Sequence, residues 1–149
     1  MDDYRAIENL MYRYAFKLDA GDLPGVAELF RHGEIVAPAA NSVVSGYDAV
    51  LAMYNSSTRL YDCGTPKTRH IISNVHIEVE SDACSARAEA YFTVVQATPD
   101  LPLQVIIAGK YHDRFEKHDG QWRFRRREMF PDLFGDLNHH LLFDAASIQ

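Results

Sequence analysis

The chain has 149 residues, 47% hydrophobic and 24% charged, with a formal net charge of -6. A domain of that size can bury a core without metal or disulfide staples. The acidic balance argues against a nucleic-acid partner, and no apolar run reaches the roughly 18–20 residues of a membrane span.

In chain order, Met1-Asp2-Asp3-Tyr4 is acidic and lacks the basic and apolar regions of a secretory signal, so a cytoplasmic protein is expected. Over residues 4–18, Ile7, Leu10, Met11, Tyr14, Ala15 and Leu18 recur at the spacing of an amphipathic helix with one buried stripe. Asp19-Ala20-Gly21-Asp22 breaks it. Asp22 suits the N-cap of a second, short helix through Leu23-Pro24-Gly25 to Phe30, since proline is tolerated in a first turn. Glu34–Ala37 and Ser42–Ser45 read as two short strands around an Ala-Ala-Asn turn. A third helix is expected over residues 47–60, with Val50, Leu51 and Tyr54 on its apolar side.

The remainder is strand-like. Residues 68–80 alternate, with Ile71, Val75, Ile77 and Val79 on one parity and His70, Asn74, His76 and Glu78 on the other. Strands over 84–97, 103–117 and 122–129 follow, and His118-Asp119-Gly120 is a hairpin turn. Cys63 and Cys84 match no metal-ligand spacing, and two are too few for a disulfide framework; reduced thiols are expected. Helices first and a long antiparallel meander afterwards predict a single α+β domain over 1–149. Its form would be a cone-shaped, strongly curved antiparallel sheet with three helices closing one face around a pocket. Leu133, Phe134, Leu137, Leu141, Leu142 and Phe143 make residues 131–149 an apolar tail, expected as a flap or a subunit contact.

Asp19 stands at the edge of the first helix's apolar face, where a turn aspartate bonding local backbone is the plain alternative. His70 opens a strand, where a solvated or core histidine is the plain alternative. Tyr14 lies in the buried stripe, five residues before Asp19. Arg123, Arg125, Arg126 and Arg127 occupy both parities of one strand, so at least one faces the interior unless a bulge intervenes. A buried guanidinium needs an anion, with Asp19, Glu128 or a ligand as candidates. The seven histidines show no metal spacing; His139 and His140 are adjacent, so their side chains would diverge on a helix.

Ile7 through Tyr14, Leu18-Asp19-Ala20-Gly21-Asp22 and Leu29-Phe30 together resemble the opening of SnoaL-like domains, of the superfamily with the cone-shaped nuclear transport factor two fold. Thr68-Arg69-His70-Ile71-Ile72-Ser73-Asn74-Val75 is similar to that family's histidine-bearing strand. Gly109 to Glu116 and Asp119 to Phe124 resemble its last hairpin. Family members such as scytalone dehydratase, bile acid dehydratase and hexachlorocyclohexane dehydrochlorinase use an aspartate and a histidine at these places. The resemblance implies Asp19, His70, Tyr14 and Arg127 as catalytic residues, the arginine lying five residues beyond Trp122. No acid near Thr93 matches the one bile acid dehydratase carries there, which leaves the leaving group open.

The reaction so implied is that of a lyase or isomerase with no metal, nucleotide or flavin. His70 would take an acidic C–H proton from a small hydrophobic, cyclic substrate, and Asp19 would orient it. Tyr14 would bond a substrate oxygen while Arg127 offsets developing negative charge. Dehydration or a related elimination is expected, with isomerisation and cyclisation as neighbouring chemistries. Two other readings share the cone: a non-catalytic binding module for a hydrophobic small molecule, and an assembly protein like the small β subunit of ring-hydroxylating dioxygenases. The family also implies a homo-oligomer, dimer or trimer, formed through the sheet.

Overall fold

Asp2 starts the first helix by accepting the backbone N–H of Arg5 at 2.8 Å, and α1 (Asp3–Asp19) buries all six residues of the apolar stripe. Asp22 caps α2 (Leu23–Leu29) through the Gly25 N–H at 2.9 Å. The computed structural model describes residues 1–148. β1 (Glu34–Ala37) and β2 (Ser42–Ser45) flank a 3-10 turn, Pro38–Ala40, closed by Asn41 in the left-handed region. The third helix, α3 (Gly46–Ser57), is shorter than its pattern predicts, because Thr58 leaves it to bridge Leu141. Four long strands complete the fold: β3 (Thr68–Val79), β4 (Ser85–Thr98), β5 (Leu101–His118) and β6 (Gln121–Phe134).

The strands form one open six-stranded sheet in the order β2-β1-β6-β5-β4-β3. The architecture is the expected α+β one, with one correction: the sheet is mixed, since β1 pairs with β6 in parallel. The other neighbours are antiparallel. A parallel partner needs a long connection, which the eighty-odd residues between β1 and β6 supply. The core fills the space between the helices and the inner face of the sheet, where Phe30 stacks on Phe124 and Phe92 on Tyr111.

A bulge overturns the parity expected of β3, and a second one decides which arginine of β6 faces the interior. In β3 the register slips between Ser73 and His76, and Asn74 takes a positive φ of 55°. One extra residue exchanges the faces of the strand. Thr68, His70 and Ile72 therefore share the inner side with Val75, Ile77 and Val79, while Ile71 is 48% exposed. In β6, Phe124 pairs with Phe115 but Arg126 with Arg114, so Arg125 is the extra residue. Arg125 and Arg126 thus both avoid the core, and Arg127 enters it with Trp122 and Phe124.

The last strand also runs past its expected end. Beyond Glu128, β6 has no pairing with β1, and Pro131, which lacks an N–H, is tolerated on such an edge. Residues 131–134 of the expected tail thus belong to the sheet. The rest turns back: Leu137 enters the core, Arg59 N–H bonds the His140 carbonyl at 2.8 Å, and Leu142 N–H bonds Ser57 at 3.1 Å. Cys63 and Cys84 lie exposed on separate loops, not joined. Among the described residues no helix is long and apolar enough to cross a membrane.

Candidate active site

Asp19 is the last residue of α1, and the start of β3 is packed against it. Gly21 holds this corner together: a side chain there would collide with the Gly64 carbonyl, and its φ of +75° is itself a glycine conformation. The Asp19 carboxylate takes three bonds from one strand. Oδ1 accepts from His70 Nδ1 at 2.6 Å and Thr68 Oγ1 at 2.8 Å, and Oδ2 accepts the His70 backbone N–H at 2.8 Å. Both side chains are largely buried, at 6% exposed for His70 and 12% for Asp19.

Burial alone would push the Asp19 carboxyl up. The bonds from His70 and Thr68 outweigh it and hold the group below its ordinary 3.8. An ionised carboxylate only accepts, so Nδ1 of His70 donates the proton of that bond, which leaves Nε2 as the ring's other nitrogen. Among the described residues nothing bonds that Nε2. A groove of about 630 Å³ opens beside it between α1 and β3, lined by Tyr12, Ala15, Phe16, Arg69 and Ile72 as well as the pair.

This geometry ties stability to pH. A carboxylate whose pKa is depressed in the fold stabilises it above the unfolded value, and that contribution fades as pH falls through the folded value. Wild type should therefore exceed Asp19→Asn in unfolding free energy at neutral pH, and the gap should close below about pH 4. Denaturant titrations over a pH series check this; a gap that ignores pH would mean the carboxylate is not held as described.

Tyr14 and Arg127 lie deeper. The Tyr14 ring stands edge-on to His70, 6.4 Å between centroids, and its hydroxyl meets the Tyr54 hydroxyl at 2.5 Å. Burial raises the Tyr14 phenol, with Arg127 partly offsetting it, so the phenol stays protonated at neutral pH. Arg127 is fully buried, and its partner is none of those expected. Asp113, directly opposite on β5, takes two parallel bonds from Nε and Nη2, each 2.8 Å. The guanidinium lies 3.7 Å from the Tyr111 ring centroid and 4.4 Å from that of Tyr14. The structure thus joins Asp19 to His70, sets Tyr14 beside them, and places Arg127 behind the tyrosines.

Sequence reasoning passed over Thr68, Tyr111, Asp113 and His140. Asp113 carried a usable signal, being a charged residue on the same parity as Tyr111 and Phe115. His140 carried none, because it arrives from the C-terminal segment; its ring lies 6.5 Å from that of His70. Two other hollows, of about 320 and 550 Å³, lie among charged residues including Arg114 and are not lined by the Asp19–His70 pair. No three His, Cys, Asp or Glu side chains among the described residues converge as a metal site.

No curated protein matches the chain significantly. A Novosphingobium aromaticivorans structure titled "Putative Scytalone Dehydratase" is 28% identical, covering 90% of this chain and 87% of its own, with a TM-score of 0.71. A variant of Rv3472, a protein of unknown function from Mycobacterium tuberculosis, is 25% identical over 87% of this chain and 72% of its own, with a TM-score of 0.72. LinA, 20% identical over 90% of this chain and 88% of its own, shares the fold with a TM-score of 0.70. The model of the SnoaL-like domain matches residues 1–128, and the chain belongs to that family.

Proposed function

We propose that the chain is an enzyme in which His70 removes a carbon-bound proton from a small hydrophobic, cyclic substrate, in a dehydration or related elimination. The observation that carries this reading is the 2.6 Å bond between Asp19 and His70 Nδ1, with the opposite ring nitrogen unbonded beside a groove. Nε2 takes the proton, and the C–H electron pair becomes a C=C bond as the C–O bond on the neighbouring carbon breaks. The departing hydroxide then takes the same proton from the imidazolium, so water leaves and both groups are restored. Asp19 fixes the tautomer and offsets the positive charge on the ring.

Tyr14 serves as a protonated phenol that donates to a substrate oxygen. Arg127 is a positioning residue in this scheme: Asp113 neutralises it, and it acts by holding the Tyr14 and Tyr111 rings. The scheme calls for no cofactor. A homo-oligomer built through the sheet is supported by Ile71, Tyr91, Val105 and Leu133, all about half exposed or more.

The test is turnover by purified protein of a panel of cyclic β-hydroxy ketones, with loss of water followed by mass spectrometry. Conversion by wild type but not by His70→Ala supports the reading. Conversion that persists in His70→Ala, or binding of the panel without conversion, overturns it; the latter favours a ligand carrier.

A further inference from the structure

The C-terminal segment after β6 is held more firmly than a trailing end requires. The His139 carbonyl accepts from Tyr61 Oη at 2.5 Å and from Gln96 Nε2 at 3.0 Å. The His140 carbonyl accepts Arg59 N–H at 2.8 Å, and the Leu141 carbonyl accepts from Arg59 Nη2 at 3.3 Å. Leu137 anchors one end in the core, and the Thr58–Leu141 bridge fixes the other. These ties carry one side chain to the catalytic pair: the His140 imidazole, its centroid 6.5 Å from that of His70 and its plane tilted by 64°.

The His140 ring is buried, and its Nδ1 has no hydrogen-bond partner. A polar atom shut away from water without a partner is costly, and folds keep few of them. At that separation the two rings do not bond each other. We propose that His140 is a further substrate-binding residue: its neutral imidazole hydrogen-bonds an oxygen of the substrate while His70 takes the carbon-bound proton. The inference rests on the elimination reading and adds to it that the substrate carries a hydroxyl or carbonyl facing the C-terminal segment.

Neutrality suits this role. Burial, then the nearby His70, pulls the His140 imidazole down to about 4, so it stays uncharged at neutral pH. A neutral ring offers one donor and one acceptor and does not repel the imidazolium that forms on His70. Asp19 is the acid on the facing side, and Arg59 is the base on the loop that clamps the segment.

The experiment compares a matched pair of probes, 2-naphthol and naphthalene, titrated by fluorescence into the full-length protein. Wild type should prefer 2-naphthol. His140→Phe should weaken 2-naphthol about tenfold or more and leave naphthalene unchanged, while His140→Gln, which keeps a donor and an acceptor, should retain most of the preference. The proposal fails if His140→Phe leaves 2-naphthol binding intact or weakens both probes alike. Ring nitrogen resonances of His140 in unmodified protein give a second reading: they should move with 2-naphthol and not with naphthalene, whether or not a variant folds, and equal response to both overturns the proposal. If wild type binds neither probe, the elimination site fails and this inference with it. If the preference survives in His140→Phe, His140 alone is removed from the site.

Discussion

His70→Ala and Asp19→Asn should each lower turnover by on the order of 10³–10⁴ while leaving a folded protein. The two losses have different causes. Removing the imidazole removes the proposed base, the ring whose Nδ1 Asp19 holds. The asparagine acts on the tautomer instead. Its amide can donate to Nδ1, which moves the ring proton to Nε2 and leaves no base facing the substrate. Their effects should not add: the double variant should be about as slow as either single one, because the residues act as a unit. Loss of charge-assisted bonds should cost Asp19→Asn roughly 1–3 kcal/mol of stability, readable by denaturant titration and too little to unfold the chain. Single variants that keep wild-type kcat on a confirmed substrate would remove the pair from the chemistry.

The largest effect on stability belongs to the buried Arg127–Asp113 ion pair. Arg127 and Asp113 are both fully buried side by side, 2.8 Å apart at two points. Asp113→Ala strands a guanidinium in the core, and Arg127→Met strands a carboxylate; each should cost roughly 3–5 kcal/mol. That is a large share of the about 5–15 kcal/mol a domain commonly has. Replacing both together, as Arg127→Met with Asp113→Leu, removes both charges and should recover most of the loss. Denaturant unfolding of the three variants checks the pattern, and a single variant within about 1 kcal/mol of wild type would contradict it. The double variant also separates the two roles of Arg127. If it folds yet turns over slowly, the guanidinium matters for holding Tyr14 and not only for filling the core.

Local pattern made the helices legible. The stripe of α1, the Asp2 and Asp22 caps and the hairpin at Gly120 all follow from side-chain spacing and backbone preference, which act within a few residues. Asp19 and His70 were legible as candidates by resemblance, and their contact needed the fold. Alternation in β3 misplaced Ile71 because one residue in a left-handed conformation resets the count, and the preference of asparagine for that conformation was a signal at Asn74 too weak to outweigh the alternation. The partner of Arg127 was hidden for a related reason. Asp113 faces it across β5 and β6, and the register between strands depends on the bulge at Arg125. His140 was out of reach because its position is set by contacts with Arg59, Tyr61 and Gln96, far away in sequence.

The bulge at Asn74 divides β3 into two lengths that answer to different demands. From Val75 onward the strand need only offer aliphatic bulk to the core, and exchanges among Val75, Ile77 and Val79 would leave the aim of His70 alone. Ahead of the bulge, Thr68 and His70 need only meet Asp19. Substitutions in the packing length can therefore accumulate without disturbing the Asp19–His70 contact, and changes ahead of the bulge need not loosen the core. Shortening the strand by one residue at the bulge would rejoin the two lengths, and either the aliphatic side chains or His70 would then turn to solvent.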